Sequence, residues 1–264
     1  MGIEKSSYYK WLKRDMSKES CIRKQMENIF FRYDKTCGYR RMYAELKDLG
    51  IKTSEKKVRQ NMKEFELNCE IRRKKRNKTY NKKEEETQVF KNKLKREFNP
   101  LKPNEKYCTD MTQITTQKGE VHCSIILDLF NREPIVYKSS YACNSELSKE
   151  TVIELSKVRN ISGSIFHSDQ GVTYTSKSFV ELMNELKAEQ SMSKKGCPYD
   201  NSPMENFFGT LKCEKIKRLK EKPEDKKELD KIVGEYIEFY RTVRKNSVLG
   251  GLTPKQYYDK YINN

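Results

Sequence analysis

The sequence predicts an α/β domain, a mixed sheet flanked by helices, preceded by a small all-α region. Three observations predict it. Between Tyr107 and Tyr141 the apolar residues fall into short alternating runs separated by turn residues, the signature of strands. After Asn144, helix-length and strand-length segments interleave, as in a layered α/β domain. Before Asn99 the apolar spacing is helical and the charge one-sided: residues 1–98 carry 29 basic and 15 acidic side chains, residues 99–264 carry 26 and 23.

Taken in order, residues 6–33 read as helical, with Tyr8, Tyr9, Trp11 and Leu12 clustered near the start. A helix over Tyr39–Leu49 places Met42, Leu46 and Leu49 at helical spacing, and Gly50 ends it. Ser54 caps the next helix, whose buried face is Val58, Met62 and Phe65 and whose opposite face carries Arg59, Gln60 and Lys63. Two short helices around a Gly-containing turn have the form of a helix-turn-helix, and the second helix is then the candidate major-groove reader. The run Arg72-Arg73-Lys74-Lys75-Arg76-Asn77-Lys78 suits phosphate contact without sequence choice. Residues 1–78 are therefore assigned to a basic DNA-binding region and 79–98 to a charged linker. The break Asn99-Pro100-Leu101-Lys102-Pro103-Asn104 opens a second domain over 99–264.

In that domain Tyr107–Thr116, Val121–Leu129 and Pro134–Tyr141 form an antiparallel meander. Asn144–Arg159 reads as helix, Ser164–His167 as strand, Ser176–Lys187 as helix and Ala188–Ser193 as strand. Asp200–Lys215 and Glu228–Thr242 read as helices. Ser193–Tyr199, with Gly196 and Pro198, reads as a loop.

The formal net charge of +17 points to a polyanionic partner, nucleic acid first. No run of 18 apolar residues and no apolar leader occurs, so the chain is expected to be cytoplasmic and nucleoid-associated, with no membrane span. Eight cysteines without a C-x-x-C pair, and only two histidines, argue against structural zinc and for reduced thiols.

Three acids stand where metal chemistry would want them. Asp110 lies mid-strand in Thr109-Asp110-Met111-Thr112, where a carboxylate is costly unless paired or metal-bound. Asp169 follows a strand end in His167-Ser168-Asp169-Gln170-Gly171, the place where α/β sheets bind ligands. Glu205 lies in the first turn of a helix. Each also has a plain structural reading: a solvent-facing edge strand for Asp110, turn chemistry for Asp169, and a capping box Ser202-Pro203-Met204-Glu205 for Glu205. His167 reads as a strand residue packed under the loop. Asn201 is a candidate to bond the loop that positions Glu205 or to contact DNA. Lys212, two helical turns beyond Glu205, shares its face and suits a DNA phosphate.

Together these residues resemble the DDE transposase and integrase superfamily, and more narrowly the OrfB-type transposases of two-reading-frame insertion sequences. The carrying motifs are Thr109-Asp110-Met111-Thr112, His167–Gly171 with Tyr174-Thr175-Ser176, and Asp200-Asn201 followed by Glu205, with 35 residues between Asp169 and Glu205. Cys37-Gly38-Tyr39-Arg40-Arg41, Ser6–Trp11 and Leu249-Gly250-Gly251-Leu252-Thr253-Pro254 resemble the family's terminal blocks, so the likeness spans nearly the whole chain. Tyr107, Gln113 and Asn246 depart from the residues most frequent there, and none of these is an acid of the trio.

The resemblance implies a ribonuclease H-like core in which Asp110, Asp169 and Glu205 are catalytic and hold two divalent ions, Mg2+ or Mn2+, for 3′-end cleavage and strand transfer. It implies DNA as partner, both terminal inverted repeats and target, with Arg40, Arg41, Arg59, Gln60, Lys63, Arg72–Arg76, Asn201 and Lys212 as candidate contacts. It further implies an upstream-frame companion protein or fusion, since Met1-Gly2-Ile3 falls near the usual downstream-frame start, and a homodimer or larger assembly on DNA. Two rival readings are a nuclease of the same fold that cuts without joining, and a DNA-binding protein with an inactive core.

Overall fold

The structure, a computed structural model, describes residues 16–71 and 90–263. Residues 6–15, expected to open a helix, and the basic run Arg72–Lys78 lie outside these residues. The chain divides into two compact units at Ile71/Arg72.

The first unit contains α1 (Met16–Arg32), α2 (Tyr39–Asp48) and α3 (Glu55–Glu64). Its core is built from Met26, Ile29, Phe30, Tyr33, Met42, Leu46, Val58, Met62 and Leu67, one apolar stripe from each helix plus the following turn. Leu49 departs from the expected stripe. It is the C-cap of α2 and exposed, because the chain turns there through Gly50 at φ 72°. Gly50 N–H donates to the Lys47 carbonyl and Ile51 N–H to the Leu46 carbonyl, closing the end of α2. Ser54 accepts from Lys57 N–H at 3.3 Å and starts α3, as its residue type requires. Buried Glu45 accepts from the Tyr33 hydroxyl at 2.7 Å and from Arg32, tying α1 to α2.

The second unit is a five-stranded sheet between two helical layers. Strands β1 (Lys106–Thr116), β2 (Gly119–Asp128) and β3 (Glu133–Ser140) form the expected antiparallel meander. After α4 (Ser145–Val158), β4 (Ile165–Ser168) pairs parallel with β1. The short α5 (Val172–Thr175) and α6 (Lys177–Glu185) lead to β5 (Glu189–Met192), parallel with β4. The order is β3-β2-β1-β4-β5, so β1 is central and the edge-strand reading of Asp110 is wrong. β4 pairs with β1 over Lys106–Cys108, so Asp110 stands just beyond the end of that pairing on an interior strand.

Beyond β5, α7 (Ser202–Glu214), α8 (Lys226–Thr242) and α9 (Pro254–Ile262) complete the chain. One core lies between the sheet and α7/α8, with Cys108, Ile114, Ile125 and Leu127 from the strands against Met204, Phe207, Leu211, Val233 and Tyr240. The other lies between the sheet and α4–α6, with Tyr107, Ile126 and Phe166 against Val152, Leu155, Phe179 and Met183. Successive residues of β1 and β2 thus feed opposite cores, as the pleat requires, and both faces of the sheet are covered.

Two features of the second unit were not expected from sequence. Within the stretch read as linker, Leu94 is fully buried in the α7/α8 core. A buried ion pair joins α7 to the segment after α8: Arg244 donates to Glu214 at 2.8 and 2.9 Å, and the Tyr236 hydroxyl adds a bond at 3.0 Å. No helix among the described residues is long and apolar enough to cross a membrane.

Candidate functional site

The site is built around the middle of the sheet. Asp110 lies at the same parity on β1 as Cys108 and Ile114, so its side chain leaves the sheet on the α7/α8 side. Its Oδ1 accepts from its neighbour's amide, Met111 N–H, at 2.7 Å. Burial pushes its carboxyl up to about 7, helped by the negative charge of Asp169 and then of Glu205, and opposed by the Met111 N–H and by Lys212. A carboxyl so destabilised as an anion is one that an added cation would strongly favour.

Asp169 follows β4 directly. Its Oδ1 accepts from Gly171 N–H at 2.9 Å, an Asx turn, so the turn reading of this residue describes its local geometry. The turn is tight enough that a Cβ on Gly171 would lie 2.9 Å from the same Oδ1. Gly171 is thus the residue that leaves room for the carboxylate.

Glu205 is exposed in the first turn of α7. The capping-box reading fails. Ser202 is already inside the helix, the N-cap is Asn201, and no side chain caps this end. The turn of 3-10 helix at Pro198–Asn201 runs straight into α7 and moves the helix start one residue earlier than a serine cap would set it. Lys212 lies on the same helix, and its charge bears on Asp110.

The three acids lie on different elements, and the charges of Asp169 and Glu205 bear on the Asp110 carboxyl. Carboxylate oxygens are hard donors, and this donor set suits a hard divalent cation. As they stand, no group of three His, Cys, Asp or Glu side chains among the described residues is near enough together to hold a metal ion.

Asn201 is buried, and neither its amide nitrogen nor its carbonyl oxygen has a hydrogen-bond partner. It makes no bond to the loop ahead of Glu205. Leaving both atoms unpaired inside a protein costs about 1–3 kcal/mol each.

His167 is fully buried with Nδ1 2.9 Å from Ser191 Oγ and Nε2 3.0 Å from Ser193 Oγ. Ser191 Oγ already accepts from Lys93 N–H and Leu94 N–H at 2.9 and 3.1 Å, so its own hydrogen is directed to Nδ1. The ring is therefore neutral, with its proton on Nε2 and donated to Ser193. Burial pushes the imidazole down to about 4, against the pull of Asp200. His167 is a packing residue joining β4, β5 and residues 93–94.

Asp200 belongs to the Asp200-Asn201 motif and has a structural task of its own. It is 2% exposed and accepts from Arg96 Nε at 2.6 Å, Lys194 N–H at 3.1 Å and Asn92 Nδ2 at 3.2 Å. Burial opposes its ionisation, but Arg96 and the Lys194 N–H outweigh that and hold the carboxyl below the usual range. It fastens residues 92–96 to the loop that leads into the Glu205 helix. In the run of charged residues before Asn99, the signal for this docking was Phe90, Leu94 and Phe98: Leu94 is fully buried and the two phenylalanines pack against the cores.

In the first unit, Arg59, Gln60 and Lys63 are exposed on α3 while Val58 and Met62 are buried, as expected. Arg40 is exposed, and Arg40 and Arg59 both lie over the Tyr39 ring, at 5.3 and 5.8 Å. Arg41 is half-buried and donates to the Thr36 carbonyl at 3.1 Å, so it also has a structural task. Arg72–Arg76 lie outside the described residues.

Comparison with known proteins agrees with this architecture. Integrase core domain models match residues 100–198 and 205–262, and an HTH-like domain model matches residues 18–75. The chain is 33% identical to the insertion element IS600 uncharacterized 31 kDa protein of Shigella sonnei, over 98% of this chain and 96% of that one. It is 33% identical to the putative transposase InsK for insertion sequence element IS150 of Escherichia coli, over 97% of this chain and 89% of that one. Among solved structures, the simian T-cell lymphotropic virus intasome covers 61% of this chain and 56% of its own, with TM-score 0.50 and 14% identity, a likeness of fold. With an HTH-like domain ahead of an integrase core, and full-length relatives of this kind, the chain belongs to the insertion-sequence transposase family.

Proposed function

We propose that this transposase carries out 3′-end cleavage and strand transfer with Asp110, Asp169 and Glu205 as its catalytic acids. The observation that carries the reading is electrostatic: the charges of Asp169 and Glu205 both bear on the half-buried Asp110 carboxyl. Nothing in plain stability favours gathering acids around one whose ionisation its surroundings already oppose. The three side chains would hold Mg2+ or Mn2+, two ions per site. When bound, such ions neutralise the phosphate and lower the pKa of an attacking oxygen.

In the first reaction a water oxygen attacks phosphorus and the bond to the 3′ oxygen breaks, leaving a 3′-hydroxyl. In the second that hydroxyl attacks a phosphodiester of another strand, and one P–O bond replaces another. Both attackers are oxygens, so one arrangement of acids serves both steps. Lys212 is suited to hold a phosphate beside Asp110. Asn201, with two unpaired polar atoms, is suited to a DNA group or a rearranged loop. Arg40, Arg59, Gln60 and Lys63 form the exposed face for the terminal repeats, with Arg41 and the basic run Arg72–Arg76 adding phosphate contacts. A second copy to pair the two DNA ends, and a companion protein for end recognition, complete the proposal.

The test is a joining assay with precut element ends and added metal. Wild type should yield joined products, while Asp110→Asn, Asp169→Asn and Glu205→Gln should each lose them. Cleavage without joining would favour the nuclease reading. A wild type no more active than the three variants would overturn the catalytic assignment.

A further inference from the structure

The docked segment 92–96 and the loop before α7 enclose a cleft of about 410 Å³, lined by Asn92, Lys95, Arg96, Lys194 and Asp200. Its charged lining is three cations against one carboxylate. Asp200 is buried and already bonded to Arg96. The ammonium groups of Lys95 and Lys194 are exposed and, among the described residues, have no ion-pair partner. A concave surface concentrates such a field more than a flat one does.

The cleft is also held in shape. Lys95 and Arg96 both adopt left-handed backbone, φ 49° and 64°, a conformation unfavourable for side chains of this kind. Three contacts hold them there: Leu94 buried on one side, Asn92 Oδ1 accepting from Lys95 N–H at 2.8 Å, and Asp200 accepting from Arg96. Backbone strain of this kind persists only where the surroundings enforce it, and it gathers at ligand sites.

We propose that this cleft is a phosphate subsite for a nucleic-acid backbone, with Lys95 and Lys194 as its phosphate-contacting residues and Arg96 as its wall. It rests on the reading that the second unit acts on DNA. Asp200 is its positioning residue, setting the two lysines across the cleft from each other through Arg96, Asn92 and the Lys194 backbone. Because the same loop enters α7, a strand held here is registered to the helix that carries Glu205.

The experiment measures affinity of the full chain for a fluorescent duplex DNA of arbitrary sequence, in EDTA, across a salt series. Each phosphate contact contributes about 0.9 to the slope of log affinity against log salt. The pair Lys95→Gln with Lys194→Gln should lower that slope by about 2. A second pair with the same loss of charge, Lys231→Gln with Lys255→Gln, on exposed positions of α8 and α9, should lower it less. A fall no greater than in the second pair overturns the subsite. The joining assay separates this result from the catalytic reading. If wild type joins ends but the slope does not move, the subsite alone fails. If the slope falls while wild type joins nothing, the subsite stands and the strand-transfer reading fails.

Discussion

Replacing Asp110 by Asn should make the metal-free protein more stable. Asp110 is ionised in the unfolded chain above about 3.8, whereas in the fold burial and Asp169 push its carboxyl up to about 7. Below 3.8 both states hold the proton and there is no penalty. Between 3.8 and 7 the folded state holds a proton that the unfolded state has lost, so stability falls as pH rises. Above 7 both are ionised and the whole penalty remains. At about 1.4 kcal/mol per tenfold change in acidity, the rise amounts to about 4 kcal/mol. Allowing for partial exposure and screening, about 2–4 kcal/mol is expected. Asn keeps an oxygen to accept the Met111 N–H, so no bond is lost. Urea unfolding in EDTA should therefore show Asp110→Asn more stable than wild type by that amount at about pH 8, with the gain shrinking towards pH 4. A variant no more stable at pH 8, or a gain equal at every pH, would refute the reasoning.

Further perturbations test other parts of the structure. Glu214→Gln should cost about 3–5 kcal/mol in chemical denaturation, since it strands the buried Arg244 charge, and Glu214→Leu with Arg244→Met should recover more than half of that loss. A cost below about 1 kcal/mol would show the pair to be solvated. Gly171→Ala places a methyl against Asp169 Oδ1 while its φ of −58° suits alanine. It should slow end joining and cost up to about 1 kcal/mol of stability, since the carboxylate must shift off the Gly171 N–H; an unaltered joining rate would show that the carboxylate's place in the turn is immaterial. Thiol labelling of the native protein should reach Cys21, Cys69 and Cys143, which are exposed, and spare Cys37, Cys108 and Cys123. Burial pushes the Cys37 thiol up to about 12, Cys123 up to about 11, and Cys108 higher still, so the buried three should react only on unfolding, as mass spectrometry of labelled peptides can follow.

The meander, the helices on either side of it and the basic helical region could be read from the chain because each depends on local periodicity and on turn chemistry. Ser54 caps the helix it was expected to cap, for that reason, while Asn144, read as the first residue of its helix, is that helix's N-cap. The acidic trio was legible as a pattern of motifs and spacing. What each acid's surroundings are was not. Asp110 had an equally simple reading on an edge strand, which the strand order removes by placing β1 between β2 and β4. Glu205 had one as a cap, which the 3-10 turn at Pro198–Asn201 removes by starting α7 early.

By itself the sequence determined the strands, the longer helices from Tyr39 to Thr242, their order and the identity of the chemical groups, since these follow from contacts within a few residues; α5 and α9 were not read from it. Only the tertiary structure decided which groups share an environment. It set the charges of Asp169 and Glu205 on Asp110, fastened Arg96 to Asp200 across 104 positions of chain, and buried Leu94 beneath α7 and α8. Such pairings are chosen by the packing of both sheet faces at once, and a carboxyl's acidity depends on that packing far more than on its neighbours in sequence.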